Sequence, residues 1–395
     1  MTAATDDQGR SGEEHATPSS ALGGILVADF SRVLAGPYAT MLLADLGATV
    51  IKVERPGAGD DTRAWGPPWS PDGVATYFAS VNRNKASVAL DLSEPADRER
   101  ALDLCRRADV VVENFRPGTM DRLGLGPDDV AAVNPRAVYC SISGFGADRG
   151  AALSGYDLLV QAVGGLMSVT GPSPQEPTKA GVALVDVITG LHALTGILAA
   201  LRHRDATGEG QRVEVSLLTS LLSALVNQAS GYLNAGVVPR AMGNAHPSIA
   251  PYEVLATADR PLAVAVGNDK QFAAMCGVLG LAGLAADEAF ATNAARVAHR
   301  PDLHERLEAV LTTATAAEWT DRLTAAQVPC GPINTVGEAV ALAEALGLEP
   351  VVEQAAGEGA VATRQIRCPI GLSATPATYR TGPPVLGSAD RLNNV

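Results

Sequence analysis

The order strand, helix, strand near the start of the chain is the feature that most restricts its fold. The run GILVADF (residues 24–30) is short, apolar and rich in β-branched side chains, as in a buried strand. After the loop SRVLAGP, the segment PYATMLLADLG predicts a helix with Pro37 in its first turn and Gly47 just beyond its end. The run ATVIKVE (residues 48–54) predicts a second strand. A helix between two such strands requires a parallel sheet with a right-handed crossover.

Strands and helices keep alternating through the first half of the chain. Further strands are predicted at residues 87–92, 108–115 and 135–146, with the amphipathic helix EPADRERALDLCRRA between the first two. This alternation is typical of a doubly wound α/β domain. We therefore predict a large α/β domain with a parallel sheet at residues 22–224.

The pattern changes after residue 224, which predicts a second domain. PYEVLATADRPLAVAVG indicates a hairpin or a short meander, and helices rich in Ala and Leu follow, so a smaller α+β domain is predicted at residues 225–326. Residues 327–395 are predicted to return to the large domain and to end in a wrapping tail. Residues 1–21 are polar and more acidic than basic, without the features of a signal peptide, and predict a disordered tail.

The charge and cysteine content exclude several classes of protein. With 30 Lys and Arg against 43 Asp and Glu, the chain lacks the basic surface of a general nucleic-acid binder. Its five cysteines form no CxxC pair and its histidines no HxxxH pair, so we expect reduced thiols and no metal site. No apolar run approaches the length that crosses a bilayer. The expectation is a cytoplasmic protein without membrane or nucleic-acid partners.

Two arginines follow predicted strands or the turns after them, where ligands of open α/β sheets bind. Arg55 comes directly after the second strand, and Arg122 lies in NFRPGTMDRLG. An arginine after the second strand could meet the phosphate of NADP, but the first turn reads SRVLAGP and contains no GxGxxG fingerprint. A phosphorylated nucleotide held by side chains is one interpretation, and two solvated surface charges are the other.

One carboxylate occupies an unusual place. In KAGVALVDVITG the apolar run at residues 182–185 predicts the end of a buried strand, and a helix pattern starts at Asp186. The unpaired N–H groups of a helix start would stabilise this carboxylate in its ionised form. Asp186 is therefore either a helix cap or an activated nucleophile.

Several strings, in one order, resemble the family III CoA-transferases, which include formyl-CoA transferase, carnitine CoA-transferase and α-methylacyl-CoA racemase. They are DFSRVLAGPYATMLLADLGATVIKVERPGAGDDTR, NRNKASVALDL, VVENFRPGTMDRLGLG, GYDLLVQAVGGLMSVTG, LVDVITGLHALTGILAAL and GQRVEVSLL. The resemblance covers roughly residues 22–345. It implies a Rossmann-like large domain and a smaller domain, with two subunits forming an interlocked homodimer. It also implies an acyl-CoA and a free carboxylic acid as substrates, with no permanently bound cofactor.

The resemblance also implies residue roles. Asp186 would be the nucleophile, passing through a mixed anhydride and an aspartyl-CoA thioester, and Asp157 would position or polarise a substrate group unless it is a simple capping carboxylate. Coenzyme A would contact the remaining positions that match the family: Leu34, Ala35, Arg55, Leu90, Asp91, Asn114, Phe115, Arg122, Gly155 and Tyr156.

The string GYDLL discriminates between transferase and racemase chemistry. The racemase branch has a histidine where this chain has Tyr156, and an unperturbed tyrosine is a poor base at neutral pH. The formyl-CoA transferase loop GGGGQ has no counterpart, and residues 243–253 are the nearest candidate. The tail GPPVLGSADRLNNV ends soon after the family's PP-x-LG string, so we expect a terminal helix to be missing or degraded. We therefore expect an acyl-CoA:carboxylate CoA-transferase. The alternatives are the racemase, an NADP-dependent reductase and a non-catalytic CoA-binding module.

Overall fold

The computed structural model describes residues 20–389, which group into two compact units. The first unit comprises residues 20–153, 186–216 and 352–389, and the second comprises residues 154–185 and 217–351. Residues 154–185, 217–224 and 327–351 thus group with the second unit, whereas the sequence pattern assigned them to the large domain. Most of the predicted N-terminal tail, residues 1–19, lies outside the described residues.

The first unit is built on a six-stranded parallel sheet. Its strands are β1 (Leu26–Asp29), β2 (Thr49–Glu54), β3 (Lys85–Ala89), β4 (Val110–Glu113), β5 (Val138–Ser143) and β6 (Arg212–Ser216). They lie side by side in the order β3-β2-β1-β4-β5-β6, and every pair is parallel. This order confirms the predicted Rossmann-like α/β fold. It also places the topological switch point between β1 and β4, where ligands of such sheets bind.

Fifteen α-helices accompany the sheets in the described part of the chain. In chain order they are α1 (Ala35–Asp45), α2 (Thr76–Ala79), α3 (Pro95–Arg107), α4 (Thr119–Arg122), α5 (Pro127–Val133), α6 (Asp157–Val163), α7 (Leu166–Val169), α8 (Leu184–Thr207), α9 (Leu217–Ala224), α10 (Val226–Ala235), α11 (Asp269–Val278), α12 (Asn293–Ala298), α13 (Arg300–Leu311), α14 (Ala316–Ala325) and α15 (Val336–Ala345).

Local sequence explains the elements of the first unit. All four residues of β4, VVVE, are buried, as expected for a strand covered on both faces. Helix α3 starts with Pro95 in its first turn and buries Ala101, Leu104 and Cys105, which share one face of a helix. These side chains pack with Phe30 and other residues into one apolar core.

Helix α8 has the length and composition of a membrane-spanning segment, contrary to the expectation that no apolar run would. It is 24 residues long, its apolar part has a mean hydropathy of 1.8, and 44% of that part is buried. Its Arg204 is buried and donates to Asp109 over 2.6 Å. An ideal Cβ on Gly196 would lie 2.7 Å from Val213 of β6. These contacts are those of a helix packed against the sheet of its own unit.

The second unit contains a three-stranded antiparallel sheet. Strands β7 (Tyr252–Leu255) and β8 (Leu262–Ala265) form the predicted hairpin, and β9 (Cys330–Pro332) pairs with β8. Phe272 and Trp319 belong to the apolar core formed by this sheet and its helices. The pairing of β9 explains why the chain remains in this unit beyond residue 327.

The C-terminal segment returns to the first unit. Strands β10 (Val351–Gln354) and β11 (Thr363–Ile366) form a two-stranded sheet. Further on, the guanidinium group of Arg380 donates to the carbonyl oxygens of Ala44 (3.0 Å) and Ala48 (2.9 Å) at the end of α1. These bonds attach the segment to the end of α1, the helix that connects β1 and β2.

Candidate active site

A cavity of about 270 Å³ opens at the carboxyl edge of the six-stranded sheet. Its walls come from the residues at the ends of β1 to β4 and just after them, so it lies at the switch point that the strand order defines. The lining residues are Phe30, Arg32, Lys52, Val53, Glu54, Arg55, Gly59, Asp60, Leu90, Asp91, Leu92, Ser93, Phe115 and Leu123.

Four predicted CoA contacts line this cavity. Leu90 and Phe115 supply apolar surface, while Arg55 is exposed and supplies a positive charge. The guanidinium of Arg32 lies 5.1 Å from the centre of the Phe115 ring. A cavity with apolar walls and cations suits a flat aromatic base attached to phosphate groups.

The fourth of these residues, Asp91, uses its carboxylate to shape the cavity wall. Its Oδ1 accepts hydrogen bonds from the Oγ (2.6 Å) and backbone N–H (2.9 Å) of Ser93. These bonds lower the pKa of Asp91 below its ordinary value. The carboxylate therefore holds a tight turn after β3.

Asn114 holds the loop between β1 and α1. Its Oδ1 accepts from the backbone N–H of Arg32 (2.8 Å), and its Nδ2 donates to the carbonyl oxygen of the same residue (2.7 Å). This predicted ligand contact thus has its amide group engaged with backbone 82 residues away in the chain. Its observed role is to position the loop.

A buried ion pair, which the sequence pattern did not reveal, also supports this loop. Lys52 and Asp60 are fully buried, with Nζ 2.9 Å from Oδ2, and both Asp60 oxygens lie 3.3 Å from the backbone N–H of Val33. Burial alone would raise the pKa of Asp60, but Lys52 and hydrogen bonds lower it. Val33 has φ +70°, a costly conformation for a β-branched residue. The one signal in the sequence was a lysine inside an otherwise apolar strand.

A second buried cluster supports the start of α1. Asp29 accepts hydrogen bonds from Thr40 Oγ1 (2.7 Å) and Lys85 Nζ (3.1 Å). Lys85 also donates to the carbonyl oxygen of Pro37 (2.9 Å). Burial lowers the pKa of Lys85 to about 8. The predicted contacts Leu34 and Ala35 are buried at this helix start.

Asp186 lies in the first turn of α8, which begins at Leu184. The strand predicted at residues 182–185 is wrong, because residues 181–183 have no regular structure and Val182 is 64% exposed. Four apolar residues are too few to distinguish a strand from a helix start. The predicted placement of Asp186 at a helix N-terminus is correct, and its side chain is half-buried there.

Gly190 shows which part of the first unit this face of α8 contacts. It lies one turn after Asp186, on the same face of the helix. An ideal Cβ at Gly190 would lie 2.7 Å from the carbonyl oxygen of Ala35 and 3.2 Å from Tyr38. The fold therefore brings the face that carries Asp186 against the start of α1, where the predicted Leu34 and Ala35 contacts lie.

The remaining predicted site residues lie elsewhere. Arg122 is exposed on α4 and donates to Thr119 Oγ1 over 3.0 Å, outside the cavity lining. Gly155 and Tyr156 belong to the second unit, just before α6, and Tyr156 is 68% exposed.

Asp157, the other predicted catalytic carboxylate, starts α6 in the second unit. Its Oδ1 accepts from the backbone N–H of Val185 (2.8 Å), and its Oδ2 accepts from Gln161 Nε2 (2.6 Å).

Metal ligands and reactive thiols are the other groups that could carry chemistry in a site of this kind. Among residues 20–389, no group of three or more His, Cys, Asp or Glu side chains is arranged to hold a metal ion. Burial raises the pKa of the Cys105 and Cys140 thiols to about 12, which makes them poor nucleophiles.

The fold and this geometry define an α/β protein with a ligand cavity at the switch point of its parallel sheet. The chain belongs to the family III CoA-transferases: the family model for CoA-transferase family III matches residues 22–390. It is therefore a CoA-transferase, and CoA thioesters are its substrates.

Named relatives and a solved structure agree with this assignment. The chain is 45% identical over 379 residues to the succinate–glutarate CoA-transferase of Agrobacterium fabrum (strain C58), covering 93% of each chain. It is 41% identical over 329 residues to the acetyl-CoA:oxalate CoA-transferase of Acetobacter aceti, covering 83% of this chain and 84% of that protein. The crystal structure of a CAIB/BAIF family protein from Brucella suis is similar, with a TM-score of 0.84, 40% identity and coverage of 94% and 97%.

Proposed function

We propose that this enzyme transfers CoA from a dicarboxylic acyl-CoA to a second short dicarboxylic acid, with Asp186 as the nucleophile. The name of one relative pairs succinate with glutarate and supports both the donor and the acceptor class. A second relative is named for transfer from acetyl-CoA to oxalate, which supports the dicarboxylic acceptor alone. The observation that carries the role of Asp186 is its place in the first turn of α8, on the face packed against the start of α1.

The first half of the reaction removes the donor acid from CoA. The Asp186 carboxylate attacks the thioester carbonyl carbon, the C–S bond breaks, and the CoA thiolate leaves with the electron pair. This yields a mixed anhydride between the enzyme and the donor acid. The thiolate then attacks the aspartyl carbonyl carbon, the anhydride C–O bond breaks, and the donor carboxylate departs from an aspartyl-CoA thioester.

The second half runs the same steps with the acceptor. The acceptor carboxylate attacks the aspartyl carbonyl carbon and releases the CoA thiolate, which forms a second mixed anhydride. The thiolate attacks the acceptor's acyl carbon, so acceptor-CoA forms and Asp186 regains its carboxylate. No proton or electron is left over, which explains why a carboxylate suffices without a metal or redox group.

The surroundings favour these steps. The positive end of the α8 dipole favours negative charge at this helix start and can stabilise the oxyanions of the tetrahedral intermediates. The cavity at the sheet edge would hold the adenosine end of CoA, with its base against Phe115 and Leu90 and a phosphate near Arg55. Arg122 would contribute to phosphate binding from its exposed position.

We further propose a cytoplasmic homodimer, interlocked as the family resemblance implies. No residue of α10, which is described in full, is buried, and Tyr232 and Leu233 are 57% and 76% exposed. Exposed apolar surface of this kind is typical of subunit interfaces. All five cysteines are free, in keeping with a reducing compartment.

The test combines trapping with substitution. The enzyme is incubated with a panel of dicarboxylic acyl-CoAs, quenched with hydroxylamine and analysed by mass spectrometry. We expect a hydroxamate at Asp186, and in Asp186→Asn a turnover reduced by roughly 1,000-fold or more, as is typical when a nucleophile is removed. The matched control is Asp205→Asn at the exposed end of the same helix, which should keep full turnover. If Asp186→Asn retained its turnover, the proposed role of Asp186 would be refuted.

A further inference from the structure

Two side chains of the second unit, the half-buried Asp157 and the fully buried Gln161, fix the backbone immediately before Asp186. Asp157 Oδ1 accepts from the N–H of Val185, the second residue of α8, over 2.8 Å. Asp157 Oδ2 accepts from Nε2 of Gln161 over 2.6 Å. The two side chains lie one turn apart on α6 and so face the same way.

Gln161 extends this pair to the loop that leads into α8. Its side chain is completely buried, and its Oε1 accepts from the N–H of Ala180 over 2.8 Å. The amide thus donates to Asp157 and accepts from backbone at the same time. The segment between Ala180 and Val185 is held at both ends by α6.

We propose that Asp157 and Gln161 are positioning residues that set the first turn of α8 and so the direction of the Asp186 carboxylate. This inference rests on the proposed role of Asp186 as the nucleophile. It replaces the catalytic role predicted for Asp157 with a structural one: both of its oxygens accept hydrogen bonds within α6 and the start of α8. A nucleophile misdirected by a fraction of an ångström loses rate although it remains chemically intact.

The pairing can be reversed, which gives a sharp test. Asp157→Asn alone places an NH₂ group opposite the NH₂ of Gln161, and Gln161→Glu alone places two carboxylates against each other. In the double variant Asp157→Asn/Gln161→Glu, the new amide accepts from Val185 and donates to the new carboxylate. That carboxylate accepts from Ala180. The bonds to Val185 and Ala180 and the bond between the two side chains are restored, and the net charge is unchanged. Only the long donation from Gln161 Nε2 to the carbonyl oxygen of Val182 (3.5 Å) is lost, and the carboxylate has moved from position 157 to position 161.

A positioning role predicts rescue. Each single variant should lower kcat by about 10- to 100-fold, the effect of losing one partly buried hydrogen bond to a charged group. The KM for acyl-CoA should stay within about threefold, and the double variant should recover kcat to within about threefold. Hydrogen exchange of residues 180–188 should quicken in each single variant and return to normal in the double variant. If the double variant remains as slow as Asp157→Asn, the carboxylate at position 157 acts directly and the inference is overturned. Single variants with full turnover would overturn it as well.

Two controls distinguish a positioning role from a general loss of stability and from loss of the nucleophile. In the same unit, Glu318 accepts a comparable hydrogen bond from the backbone N–H of Thr315 at the start of α14. Glu318→Gln weakens this bond, so it should lower thermal stability slightly without changing kcat. Asp186→Asn in the wild-type background tests the nucleophile by itself. Turnover in that variant refutes the proposed function, whereas failed rescue with an inactive Asp186→Asn refutes only the positioning role.

Discussion

Gly190 gives the most direct test of how α8 and α1 are packed. Replacing it by alanine adds a Cβ atom 2.7 Å from the carbonyl oxygen of Ala35, a backbone atom that cannot rotate away. Carbon–oxygen contacts are normally about 3.3 Å or longer. The two helices must therefore separate by about 0.6 Å at this point.

Two opposing terms set the stability of Gly190→Ala. Overpacking of this kind costs about 1–3 kcal/mol, while replacing a glycine inside a helix gains up to about 1 kcal/mol. We expect a net loss of about 0–3 kcal/mol. Because Asp186 lies one turn earlier on the same face, the same displacement should lower kcat by about tenfold.

The matched control is Gly277→Ala. Gly277 is exposed on α11, and an added Cβ there would meet nothing within 4 Å. This variant should be unchanged or slightly more stable, with full activity. The assay is steady-state CoA transfer followed by chromatography, with the melting temperature measured on the same samples. If Gly190→Ala were as stable and as active as Gly277→Ala, the packing of α8 against Ala35 would be refuted.

Two further predictions concern the cavity and the sheet edge. Arg55→Met should raise the KM for acyl-CoA about tenfold with little change in kcat, because one charge-assisted contact to phosphate is lost. The control is Arg364→Met, at an exposed strand position, which should leave the KM for acyl-CoA unchanged. Burial raises the pKa of Glu113, at the end of β4, to about 7 from the ordinary value of 4.5. Between these two pH values the folded state holds a proton that the unfolded state has released, so the stability of the protein falls as the pH rises through this range. Glu113→Gln should therefore stabilise the protein more at pH 8 than at pH 5; parallel melting curves at both would contradict this reasoning.

Much of the large unit could be predicted from local patterns. The first strand, helix and strand follow from apolar runs and from Pro37 and Gly47 at their borders, and local periodicity is a sufficient signal for elements of this length. The family strings then predicted Arg55, Leu90 and Phe115, which line one cavity. The strand before Asp186 was wrongly predicted because the apolar run is too short to show either a strand or a helix periodicity.

Domain membership could not be predicted in the same way. Residues 154–185 read as a continuation of the large domain, yet they group with the second unit. Which segments share a core depends on contacts between distant parts of the chain, and no local pattern records them.

The sequence alone determined that this chain forms a parallel α/β sheet and carries a carboxylate at the start of a long apolar helix. Only the tertiary structure decided how that site is supported. Lys52 could be seen as a charge within a strand, but its pairing with Asp60 and the strained Val33 above them required the folded loop. Likewise, the two hydrogen bonds between the Asn114 amide and the backbone of Arg32 appear only in the folded protein. A hydrogen bond needs two groups about 3 Å apart, and distance in space is the one quantity that residue spacing in a chain does not contain.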